Sequence, residues 1–253
     1  MTGTLSQRGR SRWLAVILIG IAMILTSFPV SGREEGIERG LKLVEQGDAQ
    51  LRDKQFDKAK GFYQQALRLD PTLPEAHYGL GLAFGGLGRY EEAAANLKET
   101  VRLRPGWASA QNNLGVAYLK LRRYAEAVQA FRAVLKLQPG EAEARYNLGV
   151  ALGHLGRHQE ALAAFTEAVR LKPDYLPAQK NLGMAYLKLN RAKEAKEAFA
   201  TAVRLNSLDS EAHYGLTLAL LALGDKEGAL KSYQTVKSLD PQMARKLAEF
   251  LQP

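Results

Sequence analysis

The sequence predicts an all-α protein: a solenoid of antiparallel helix hairpins closed by a C-terminal capping helix. Three observations carry this expectation. Pro71, Pro105, Pro139, Pro173, Ser207 and Pro241 recur every 34 residues without a gap, and such self-similarity marks stacked structural units. Each 34-residue unit holds two stretches with apolar or small residues at the helical spacing i, i+3, i+4, i+7. Helix-ending residues separate the stretches, with glycine at the inner turn and proline at the outer one.

The N-terminal segment reads as an address. Arg8, Arg10 and Arg12 precede a strongly apolar run over residues 13–25, and residues 26–32 contain Pro29 and end on small residues. A short apolar core behind a positive n-region is the form of a secretory signal peptide, here with cleavage near Gly32. Extended to Val30, the run reaches the length of an uncleaved membrane anchor, which would keep residues 13–30 in contact with the membrane. Both readings stay open. Both leave the arginines inside and the rest of the chain outside the cytoplasm, in the periplasm or at the inner membrane of a bacterial envelope. Residues 33–39 read as a linker.

Six repeating units follow: 40–73, 74–107, 108–141, 142–175, 176–209 and 210–243. Numbering each unit from 1 to 34, the first helix carries its stripe at positions 4, 7, 8, 11 and 14. In the third unit these are Gln111, Leu114, Gly115, Tyr118 and Leu121. The second helix uses positions 20, 24, 27, 28 and 30, here Ala127, Phe131, Val134, Leu135 and Leu137. Gly88, Gly156 and Gly224 stand at the inner turn, where a left-handed residue ends a helix. Pro74 opens a first helix, where its missing N–H costs nothing. Glycine at position 8 in five units and alanine at position 20 in all six imply close helix packing, since glycine inside a helix costs about 1 kcal/mol relative to alanine. Units two, four and six resemble one another, as do three and five, which suggests a duplicated two-hairpin block. Residues 244–253 fit one more first helix, with Leu247 at position 4, whose polar residues would close the open end of the core.

This pattern of small and large residues at positions 4, 7, 8, 11, 20, 24, 27 and 32 resembles the tetratricopeptide repeat family over residues 40–243. The departures are local: Thr217 stands for glycine, Ser207 for proline, and Ala192 and Lys226 for the aromatic at position 17. The resemblance implies a right-handed superhelical solenoid whose first helices line a concave groove. Positions 2, 5, 6, 9, 12 and 13 would face that groove, because 4, 7, 8 and 11 are used against the second helix.

The candidate binding residues come from those positions. Position 5 offers Tyr78, Asn112, Tyr146, Lys180 and Tyr214. Position 6 offers Asn113, Asn147 and Asn181, and position 13 offers Lys120, His154 and Lys188. Asparagine both donates and accepts, so one per unit can pair with a peptide backbone of any sequence. Such a ladder resembles the asparagine ladder in the tetratricopeptide domain of the glycosyltransferase that modifies serine and threonine. Tyrosine adds rigid apolar area with a polar tip, and the lysines favour acidic partner segments. The carboxylate clamp that grips cytosolic chaperones is not matched, because Lys180 is followed by Met184 where asparagine is needed.

Composition removes other functions. The chain has no cysteine, which excludes disulfides, thiolate nucleophiles and zinc–thiolate sites. Three of its nine net positive charges lie on Arg8, Arg10 and Arg12, and the rest are dispersed, so no nucleic-acid arm is expected. His77 and His213 occupy packing slots. His154 and His158 flank Gly156 at a turn, and neither a metal site nor a triad is expected. The glycines of residues 79–88 follow no strand and have no lysine in place for a phosphate loop. The sequence therefore predicts a non-catalytic scaffold without cofactor or metal, binding a protein or peptide in the groove. The alternative is a self-assembling component that multimerises through its convex face or ends.

Overall fold

A computed structural model describes residues 30–251, and every regular element among them is a helix. The segment expected to be a signal peptide or anchor lies outside the described residues, apart from its last three. Among the described residues no helix is long and apolar enough to cross a membrane.

Thirteen helices follow one another: α1 (Val30–Arg52), α2 (Phe56–Leu69), α3 (Pro74–Gly86), α4 (Tyr90–Leu103), α5 (Ala108–Lys120), α6 (Tyr124–Leu137), α7 (Ala142–His154), α8 (His158–Leu171), α9 (Leu176–Lys188), α10 (Ala192–Leu205), α11 (Ser210–Ala222), α12 (Lys226–Leu239) and α13 (Pro241–Leu251). Two boundaries differ from the sequence reading. Residues 33–39 are not a linker but part of α1, because Ile37, Gly40 and Val44 continue the apolar stripe and Ile37 packs on the first core cluster. The capping helix starts at Pro241 rather than 244. There the Asp240 carboxylate accepts from the backbone N–H groups of Gln242 and Met243, which caps the first turn.

Each odd-numbered helix packs against the even-numbered helix that follows it and against the next odd-numbered one, whereas no two even-numbered helices approach closely in backbone, although Arg132 of α6 reaches Glu160 of α8 at 3.3 Å. Units that meet on one side and part on the other must bend into an arc. The first helices therefore line the concave face and the second helices the convex one, giving a right-handed superhelix of hairpins.

Position 24 fills the inside of each hairpin. Tyr63, Phe131, Phe165 and Phe199 are buried there, and a β-carbon on the position 8 glycine opposite (Gly47, Gly115, Gly149 or Gly183) would lie within 3 Å of the ring. The same rings reach into the following unit, where a β-carbon on Gly79 would strike Tyr63 and one on Gly215 would strike Phe199. Tyr63 brings a hydroxyl into this dry site and donates it to Asp48 at 2.7 Å, as a buried polar group requires.

The turns repeat as faithfully as the core. Position 15 is left-handed in every unit, with φ of 74°, 72° and 76° at Gly88, Gly156 and Gly224, and 57°, 58° and 58° at Lys54, Arg122 and Asn190. The next residue is arginine in four units and clamps the hairpin. Arg89, Arg123 and Arg191 lay their guanidinium groups 4.7–4.8 Å from the ring centres of Phe84, Tyr118 and Tyr186. Each also pairs with the glutamate three residues on, Glu92, Glu126 or Glu194.

The polar residues at position 4 are a tether, not misplaced packing residues. His77, Arg145, Gln179 and His213 donate to the backbone carbonyls of Pro71, Pro139, Pro173 and Ser207, at 3.0–3.1 Å. Each bond joins a first helix to the turn that precedes it and gives a turn carbonyl its partner.

Candidate partner-binding groove

The concave face is the only surface that all the first helices share, so the groove is built from their exposed positions. The structure divides the residues expected there into two groups. Positions 5 and 6 are used largely to join units, and positions 9, 12 and 13 line open space.

Position 5 faces position 34 of its own unit, the residue just before the next first helix. Tyr78 packs on Trp107 with ring centres 4.5 Å apart, and Tyr146 meets Tyr175 edge-on at 5.2 Å. Lys180 binds Asp209 at 2.9 Å and also Glu211 at 2.6 Å. Asn112 and Glu141 line one cavity, and Tyr214 and Met243 pack on one cluster. In the three pairs in direct contact through ring or charge the chemistry matches, aromatic with aromatic twice and cation with carboxylate once. The sequence reading placed Tyr78, Tyr146 and Lys180 in the groove; in the structure all three are half-buried and engaged at the junction with the next unit, and Lys180 also lines a cavity of the concave face. Burial works against the Lys180 charge, but Glu211 and Asp209 outweigh it and hold the ammonium above the usual lysine range.

The asparagine ladder divides likewise. Asn113 donates Nδ2 to the Tyr78 hydroxyl at 3.0 Å, and Asn181 donates to the Tyr146 hydroxyl at 3.1 Å and to the Pro177 carbonyl at 3.2 Å. Burial pushes both tyrosine hydroxyls above their ordinary range, and the asparagine bonds offset part of this. Asn147, half-buried like the others, has no side-chain hydrogen bond among the described residues, so its donors and acceptor are unused. Period-68 alternation explains the difference: the residue 35 positions before Asn147 is Asn112, not a tyrosine.

Two cavities line the C-terminal half of the concave face. One, of about 240 Å³, lies between α7, α8 and α9, with Val150, Phe165 and Met184 as apolar lining and His154, Asn181 and Lys188 at its polar edge. The other, of about 330 Å³, lies between α9, α10, α11 and α13 and includes Phe199, Tyr214, Met243 and Lys246. Asn181 and Met184 line both, so the two cavities adjoin on this face and make up a trough with a shared wall. His154 stacks on Tyr124, ring centres 4.4 Å apart, and His158, across the turn from it, lines the same cavity. Among the described residues no cluster of histidines and carboxylates is placed to hold a metal ion. Lys120 is exposed and pairs with no carboxylate among the described residues.

Sequence reasoning missed Met184, Gly153, Met243 and Lys246. The first two stand at positions 9 and 12, which the helical period assigns to the groove, but as apolar or absent side chains they carried no chemical signal. Met243 precedes the expected start of the capping helix, and Lys246, inside it, was read only as part of a polar cap.

A family model described as tetratricopeptide repeat matches residues 78–142, 112–175 and 180–244, and a second, TPR repeat, matches residues 47–88. The molecule is thus a helical-repeat scaffold of the kind that binds peptide or protein partners. These matches span more than half of the sequence, and the chain belongs to the tetratricopeptide repeat family. No curated protein sequence matches it. Among solved structures, MamA from Desulfovibrio magneticus RS-1 is similar at 25% identity and a TM-score of 0.64, over 67% of this chain and 96% of that one. YrrB, titled a TPR protein with an unusual peptide-binding site, gives 20% identity and 0.65, over 74% and 97%. PilF of Pseudomonas aeruginosa gives 18% and 0.70, over 86% and 99%. The last two likenesses are of fold alone.

Proposed function

We propose that this protein is a non-catalytic scaffold of the cell envelope that holds a peptide segment or partner subunit in the trough from α7 to α13. The observation that carries the reading is that trough: two cavities on the concave face that adjoin at Asn181 and Met184. Its apolar walls offer the buried contact area that gives affinity, and its polar edge fixes orientation. Met184 and Met243 are unbranched and adapt their shape to a ligand. Asn147, on α7 outside both cavities, has unused amide groups for backbone pairing, Lys188 favours an acidic residue of the partner at the first cavity, and Lys246 and Glu211 both line the second. The envelope location rests on the three arginines and apolar run at the N-terminus.

The test is crosslinking and affinity purification of the full chain from its own envelope, read by mass spectrometry. Met184→Lys puts a charge in the wall shared by both cavities, and Lys98→Glu changes an exposed residue on the convex helix α4. A partner captured by wild type and by Lys98→Glu, but lost with Met184→Lys, supports the trough. A partner kept by Met184→Lys moves the site to the convex face or the ends.

A further inference from the structure

One end of the trough is built to admit a side chain. Position 12 is leucine in α1, α5, α9 and α11 and glycine in α3 and α7, as Gly85 and Gly153, and in α7 the glycine borders a cavity. With no side chain there, the cavity extends past α7 to Ala161 and Phe165 of α8. Gly149, one turn earlier, is required by packing, since a β-carbon on it would lie 2.6 Å from Phe165. Gly153 is not, since a β-carbon on it would meet nothing within 4 Å. Glycine in a helix where neighbours leave room for a side chain is a destabilising choice, and here it keeps a space open.

The space has a definite chemistry. Phe165, 4% exposed, Val150, Ala185 and Met184 make its apolar part. Lys188, His154, His158 and Asn181 bring polar groups to it, and no carboxylate lines it. Lys188 has no ion pair among the described residues, and Asn181 commits its Nδ2 to Tyr146 and Pro177, leaving its carbonyl oxygen as an acceptor. Its volume is about 240 Å³, and an apolar cavity of about 150 Å³ already holds benzene.

We infer that this cavity is an anchor pocket for one aromatic side chain of the partner peptide, with an adjacent carboxylate of that peptide paired to Lys188. The inference rests on the groove reading above and deepens it by naming the ligand chemistry. The aromatic edge enters between α7 and α9 to meet Phe165, and the thioether of Met184 packs beside it.

Phenylacetate is the probe, because it carries the ring and the carboxylate and nothing else. The chain has four methionines, of which Met184 touches both cavities and Met243 only the second. With the full chain labelled at its methionine methyls, phenylacetate should move the Met184 signal saturably, at millimolar half-saturation, and leave Met243 in place. Gly153→Leu should abolish the shift with an unchanged helical spectrum. Lys188→Met should weaken phenylacetate about threefold to fivefold while leaving neutral phenylacetamide unchanged. An unmoved Met184, an equal shift with Gly153→Leu, or equal weakening of both probes by Lys188→Met would overturn the pocket. The probe reads this cavity alone and partner capture reads the whole face. A silent Met184 with capture still lost in Met184→Lys therefore rejects the pocket and spares the groove.

Discussion

Two glycines one turn apart in α7 should respond to alanine with opposite signs. Both substitutions remove a helix-interior glycine, which favours the folded state by about 1 kcal/mol at mid-helix and by less in the last turn, where Gly153 lies. At Gly153 nothing opposes this, because the new methyl group meets no atom within 4 Å. Gly153→Ala should stabilise by about 0.5–1 kcal/mol. At Gly149 the methyl carbon would stand 2.6, 2.7 and 2.9 Å from three ring atoms of Phe165. Carbon atoms pack best at about 3.5–4.0 Å, so three contacts are short by about 1 Å at once. Phe165 is 4% exposed, and giving way means moving into the cavity that it lines. Overpacking of this kind costs about 1–3 kcal/mol, and three simultaneous overlaps place it near the top of that range. The net loss for Gly149→Ala is then about 2 kcal/mol, and the two variants should differ by about 3 kcal/mol. Urea unfolding followed by circular dichroism measures this, with hydrogen exchange of the α7 and α8 amides to localise the change, since repeat arrays open unit by unit. If both variants shift stability in the same direction, the account of why position 8 is glycine is wrong.

Three further predictions follow from the junctions and turns. Asn113→Ala and Asn181→Ala each remove a bond to a half-buried tyrosine hydroxyl and should cost about 1 kcal/mol in urea unfolding, whereas Asn147→Ala, with no bond to lose, should stay within about 0.5 kcal/mol of wild type. Arg122→Gly should stabilise by about 0.5 kcal/mol, because it relieves a left-handed residue at φ 58° at the expense of greater freedom in the unfolded chain; a clear loss would show that the Arg122 side chain has a role. Stability should fall as pH rises past about 10, the unfolded value for tyrosine and lysine. Burial raises the Tyr63, Tyr78, Tyr146 and Tyr175 hydroxyls. The Lys180 ammonium is raised by its carboxylates. In this range the folded state therefore holds more protons than the unfolded one, and a rise in pH favours unfolding. Tyrosinate absorbance should appear together with loss of helix; ionisation of these residues at ordinary pH with helix intact would contradict their burial.

The sequence by itself determined the helix order and the core. Unbroken spacing of Pro71 to Pro241, with glycine at position 8 and alanine at position 20, leaves few ways to pack other than position 24 rings against position 8 glycines, as Phe131 does with Gly115. These are local or nearest-neighbour relations, and a repeat writes them out again in every unit. Position 15 was legible as glycine in three units, but not that Lys54, Arg122 and Asn190 adopt the same left-handed turn, because there tertiary context overrides preference.

What lies on the concave face was decided between units, and helical period alone does not carry that information. Period places Tyr78, Asn113, Lys180 and Met184 on one face, yet only stacking shows that Tyr78 and Asn113 are spent on each other and Lys180 on Asp209. It also brings His154 and His158, separated by a turn, to one cavity, and sets α13 beside α11 so that Met243 and Lys246 join the trough. A cavity is space that side chains leave between helices of different units. Its existence at Gly153 depends on the relative placement of α7, α8 and α9, which packing of whole units fixes and no single stretch of sequence states.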